Sequence, residues 1–129
     1  MAAGLYDIII EQGADWRLAA EWRDKHDDAV NLSGCTARMQ IRENYSAKGA
    51  VLELSTDNGL ITLEGASGIF RVRVPATMTE GLRAPATKLT WMDGKLIWRL
   101  VYDLEIVDDQ GAVTRLMQGA CLFVPEVTR

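Results

Sequence analysis

Residues 96–124, LIWRLVYDLEIVDDQGAVTRLMQGACLFV, constrain the fold more than any other stretch. Trp98, Leu100, Tyr102, Leu104 and Ile106 recur at every second position with Arg99, Asp103 and Glu105 among the residues between them. That is the period of a half-buried strand. Asp108, Asp109, Gln110 and Gly111 then interrupt the pattern with turn formers, and Gly111 can supply the positive φ that closes a short hairpin loop. The second arm resumes at Val113. Leu116, Leu122, Phe123 and Val124 fall on both parities, which places this arm between two packed surfaces, with Gly119 as a candidate bulge. A hairpin alone is not stable in water, so the rest of the chain must supply the strands that cover it.

The preceding residues contain such strands. Residues 5–11 (LYDIIIE) form a β-branched run suited to an edge. In residues 15–23, Trp16, Leu18, Ala20 and Trp22 oppose Asp15, Arg17, Glu21 and Arg23, and in residues 35–42, Cys35, Ala37, Met39 and Ile41 oppose Thr36, Arg38, Gln40 and Arg42. Between these two strands, residues 24–28 read as a polar turn and residues 30–32 as a short extended piece. Residues 43–49 have no period and carry one large apolar group, Tyr45. Short strands at 51–54 and 60–63 flank a connection with a tight-turn Asn58-Gly59 pair, and residues 69–74 alternate again. Thr77 and Glu80 stand at capping-box spacing, so residues 77–82 are expected to form one helical turn passing from one sheet to the other.

The expectation is an all-β protein, an antiparallel β-sandwich of immunoglobulin-like or jelly-roll-like type with about eight short strands and one helical turn. The 129 residues suit a single domain with its own core. Two segments stand apart from that domain. Residues 83–97 form an excursion in which a short strand pairs with the start of the long hairpin, bringing Trp91 and Trp98 near each other, and residues 125–129 form an extended tail.

Candidate chemistry is sparse. A net charge of -4 gives no basic footprint for nucleic acid or anionic membrane, and no apolar run reaches the length of a membrane span. The N-terminal residues lack the basic start and cleavage site of a secretory signal, so the chain is expected to fold in a cytosol with Cys35 and Cys121 as thiols. His26, the sole histidine, stands in a charged turn and reads as solvated. The cysteines have no metal-ligand spacing, and the pairs Asp27-Asp28 and Asp108-Asp109 lack the ligand ladder of a calcium loop. No catalytic residue, cofactor or metal is expected. Trp91, Met92, Trp98 and Arg99 are the residue types that dominate protein interfaces, although the tryptophans could equally cover an open end of the core. Arg38, Arg42, Arg71 and Arg73 are expected to form a solvated ladder on the outward face of neighbouring strands.

Taken together, IIIEQGADWRLAAEW, VNLSGCTARMQIR, LSTDNGLITLEGASGIFRVRVPATMTE and VYDLEIVDDQGAVTRLMQGACLFVPEVTR resemble a family of small tailed-bacteriophage and prophage proteins placed with tail and baseplate components. More distantly, the chain resembles the β-sandwich at the N-terminal end of phage upper-baseplate proteins. The pattern departs from the family between Gly81 and Arg99, where relatives run more directly from the helical turn into the YDLE strand. The resemblance implies a virion structural part, assembled in the bacterial host cytoplasm. Its partners would be copies of itself and other phage structural proteins, without catalytic residues. Head decoration and a carbohydrate- or receptor-binding module, with Trp91, Trp98 and Tyr45 as stacking platforms, are the alternatives. The candidate interface residues are Trp91, Met92, Trp98, Arg99, Val127 and Arg129.

Overall fold

In the computed structural model the described residues are 4–83 and 89–126, with the backbone alone at Leu89, Met92 and Lys95. Ten strand segments form two sheets: β1 (Gly4–Leu5), β2 (Ile8–Glu11), β3 (Trp16–Glu21), β4 (Thr36–Arg42), β5 (Leu52–Ser55), β6 (Ile61–Leu63), β7 (Ile69–Val74), β8 (Leu89–Met92), β9 (Lys95–Val107) and β10 (Val113–Val124). The larger sheet runs β1/β2-β10-β9-β4-β5 with β8 also on β9, and the smaller runs β3-β7-β6. A 3-10 turn lies at Gly65–Ser67, and the helix α1 spans Ala76–Glu80. Both sheets turn their apolar parity toward one core, with Ile8, Ile10, Met39, Ile41, Leu54, Leu100, Leu104 and Phe123 from the larger facing Ile61, Phe70, Val72 and Val74 from the smaller.

The long hairpin is the centre of the larger sheet. Its arms pair from Val113 opposite Val107 to Phe123 opposite Trp98. Asp108 Oδ1 accepts from the amides of Gln110 and Ala112 at 2.9 and 2.8 Å, and Gly111 takes φ 84°, which together close the turn. The register shift lies between Arg115 and Met117, so Leu116, not Gly119, is the inserted residue.

Gly119 has a different task. A Cβ there would stand 2.5 Å from the carbonyl oxygen of Tyr6, so its absence lets the N-terminal segment cross close by. That segment is two strands rather than one, β1 and β2, and both pair parallel with β10. No tight turn joins them to β10, so nothing imposes the antiparallel direction expected of every strand. At the break the Tyr6 amide still donates to the Gln118 carbonyl at 2.9 Å, and Asp7 Oδ1 accepts from the Ala120 amide at 3.0 Å.

Residues 30–32, the short extended piece before the turn at 33–34, lie outside both sheets, with the Val30 amide donating to the Trp22 carbonyl, the Leu32 amide to the Gly65 carbonyl, and the Leu32 side chain buried in the core. Two other expectations change. The Asn58-Gly59 turn joins strands of different sheets, so it is a corner and not a hairpin. The helix begins after Pro75 without a side-chain cap of its own. Its first free amide, on Ala76, donates to Asp15 Oδ1 at 2.7 Å, a cap supplied from the β2–β3 turn in place of the Thr77–Glu80 box. Thr79, fully buried, donates to the Ala14 carbonyl and accepts from the Gly13 amide, while Gln12 binds the Glu80 and Leu82 carbonyls and the Glu126 amide. One polar hub thus joins the β2–β3 turn, the helix and the segment after β10.

Candidate functional site: an uncovered hairpin and an outer-face basin

Asp93 and Gly94 both take positive φ (52° and 76°), the geometry of a two-residue hairpin turn, and set Trp91 opposite Leu96 and Leu89 opposite Trp98. Leu96 and Trp98 share the parity of Leu100, Tyr102 and Leu104, although at this end of β9 the fully buried residue is Ile97, of the opposite parity. Trp98 is the last covered member of its row. It is half-buried and stacks on Phe123, ring centroids 5.0 Å apart and planes 22° apart, with its buried indole N–H lacking a partner among the described residues. Beyond it Trp91 is 74 % and Leu96 40 % exposed.

The predicted interface set therefore divides. Trp91 is on open surface, whereas one ring face of Trp98 is occupied by Phe123. Arg99 is exposed on the opposite, outer face beside Leu122. The side chain of Met92, and Val127 and Arg129 altogether, lie outside the described residues. Of the tail, Pro125 and Glu126 follow β10 directly, and the Glu126 amide donates to Gln12 Oε1.

The outer face of the larger sheet carries a second feature that spacing alone did not bring together. Gln40 is the register partner of Asp103, and Arg42 that of Val101. With Arg115 and Tyr45 they line a concavity of about 210 Å³. Arg115 Nε lies 3.4 Å from Asp103 Oδ2, and a second Arg115 nitrogen lies 4.0 Å from Glu105, which Arg38 holds at 2.9 Å. Burial first, and Glu105 second, push the Asp103 carboxyl above its ordinary value against the opposing pull of Arg115, Arg42 and Arg38.

The four arginines expected on one ladder are split between the sheets. Arg38 and Arg42 lie on β4, whereas Arg71 and Arg73 lie on β7, where Arg17 of β3 is the register partner of Arg73. Asp15 stands 3.7 Å from Arg17 and 3.8 Å from Arg73, and Glu64 pairs with Arg71 at 2.6 Å. All are exposed pairs of small energetic weight.

His26 is exposed in its turn, its amide donating to Asp24 Oδ1. Among the described residues Cys35 and Cys121 are free thiols, and no three His, Cys, Asp or Glu side chains converge as metal ligands. None of the described helices is long and apolar enough to cross a membrane. Comparison of the chain with protein-family models and with curated proteins finds no match.

Proposed function

We infer that the chain is a non-enzymatic structural part of a tailed-bacteriophage particle. Its two sheets would form a β-sandwich of jelly-roll or immunoglobulin-like type that joins copies of itself and other virion proteins at the tail, neck or baseplate. The observation that carries this reading is the exposed apolar end of the hairpin: Trp91 and Leu96 share the parity of Leu100 and Tyr102, at the end where none of the described residues covers them. A tryptophan and a leucine paired across a tight hairpin, outside the covered core, suit burial by a neighbouring subunit that supplies a second layer. The family resemblance of the sequence supplies the setting, a virion assembled in the host cytoplasm.

Light scattering over a concentration series, followed by sedimentation with phage particles or tails, tests it. A ring-sized oligomer or co-sedimentation is expected. Replacing Trp91 and Leu96 together by Ser should abolish that association while leaving the melting temperature near that of the parent. A monomer that ignores the particle would overturn the reading, as would normal assembly by the double variant.

A further inference from the structure

We propose that the basin lined by Gln40, Arg42, Tyr45, Val101, Asp103 and Arg115 is a binding site for one neutral sugar unit of a glycan. This goes beyond assembly and uses the opposite face of the sheet from the uncovered hairpin. The floor is β9, with Val101 and Asp103, and the walls come from β10 and β4, so rigid paired strands fix the polar groups.

The chemistry is that of a vicinal diol receptor. Asp103 offers a carboxylate acceptor and Arg115 offers N–H donors beside it, held only by the 3.4 and 4.0 Å contacts and not by a closed fork. Two adjacent sugar hydroxyls can each donate to the carboxylate and accept from the guanidinium, which completes both groups. Val101, half-buried, leaves an apolar patch on the floor for ring C–H groups.

Tyr45 supplies the platform. Its side chain is 75 % exposed, so it adds little to the core, yet the loop that carries it is tied down. Arg42 donates to the Ala47 carbonyl at 2.8 Å, and Asn44 Oδ1 accepts from the amide and hydroxyl of Ser46 at 3.0 Å. An aromatic ring held at the rim of a polar concavity, amphipathic at its hydroxyl, suits stacking on the C–H face of a pyranose.

Charge selects a neutral ligand over an anion. The Arg42 guanidinium is spent on Gln40 Oε1, at 2.6 and 3.1 Å, and on Ala47, and Arg115 faces both Asp103 and Glu105. A phosphate or carboxylate seated in the basin would stand against the Asp103 carboxylate on its floor. The raised pKa of Asp103 fits a carboxylate desolvated in a cleft and not repaid by its own arginines.

The test uses the full chain, isotopically labelled, titrated with the methyl glycosides of glucose, galactose, mannose, rhamnose and N-acetylglucosamine, and separately with inorganic phosphate. Amide shifts from at least one glycoside should be confined to the lining strands and the Tyr45 loop. Tyr45→Ala and Asp103→Asn should each weaken that binding about tenfold or more with an unchanged melting temperature. Silence toward all five glycosides, shifts centred on Trp91, a stronger response to phosphate, or binding that survives Tyr45→Ala would each overturn the assignment. None of these outcomes depends on oligomer formation, so the site and the assembly reading fail independently.

Discussion

Tyr102 lies opposite Gly119, where the glycine leaves room, and its hydroxyl donates to the Tyr6 carbonyl on the edge segment. It is 2 % exposed and among the largest buried side chains. Tyr102→Ala should cost about 3 to 5 kcal/mol through the cavity and the lost contact, and Tyr102→Phe about 1 to 3 kcal/mol by leaving the Tyr6 carbonyl unpaired. Urea denaturation gives both values, and hydrogen exchange should show the phenylalanine variant losing protection first at the N-terminal strands. Cys121 is equally buried, and burial pushes its thiol up to about 12 from an ordinary 9.0. The unfolded chain therefore ionises first, and stability intact below about 9 falls as pH rises toward 12. Tyr102, pushed up by burial and then by Asp7, Cys121 and Tyr6, adds to the loss at the alkaline end. Cys121→Ala should flatten the decline in urea midpoint across that range. Alternation alone identified Tyr102 as inward, but not its partner Tyr6, because a contact 96 residues apart leaves no local signal.

At the scale of elements, α1 is one turn of helix held by groups outside it. Asp15 caps its first amide, and Thr79 bonds across to Ala14 and Gly13 with no access to water. Thr79→Val keeps the volume but leaves the half-buried Ala14 carbonyl and Gly13 amide short of a partner, a loss of about 1 to 2 kcal/mol in a denaturant melt. A variant as stable as the parent would show that water replaces the hydroxyl there. The helix itself was legible to within two residues, while its cap was not. Thr77 and Glu80 have the spacing of a local capping box, but a tertiary carboxylate outcompetes them. Strand periods were legible in the same partial way. The alternation in residues 35–42 and 69–74 fixed which side chains point outward, yet it carries no information on which strands share a sheet. The expected arginine ladder therefore divides between two surfaces, and the Asp103 basin, assembled from β4, β9 and β10 with the Tyr45 loop, went unread.

At the scale of the molecule the two sheets are unequal, seven segments against three among the described residues, and none of those residues covers the larger sheet at Trp91 and Leu96, which are exposed. Trp91→Ser with Leu96→Ser should therefore change association and not folding, because those side chains are outside the covered core. The sequence marked the excursion by its tryptophans and its Asp93-Gly94 turn, but not that the pair divides, with Trp98 stacked on Phe123 and Trp91 exposed. The parallel seating of β1 and β2 on β10 also orders events in time. On a ribosome the N-terminal strands emerge first and must wait for the final arm of the hairpin, and β4 has only β5 for company until β9 arrives. The larger sheet thus closes late, through contacts of long sequence separation that slow folding to the millisecond-to-second range. During that interval Ile8, Ile10, Met39 and Ile41 lack the cover they have in the fold, and it is then that unpaired strand edges are open to aggregation.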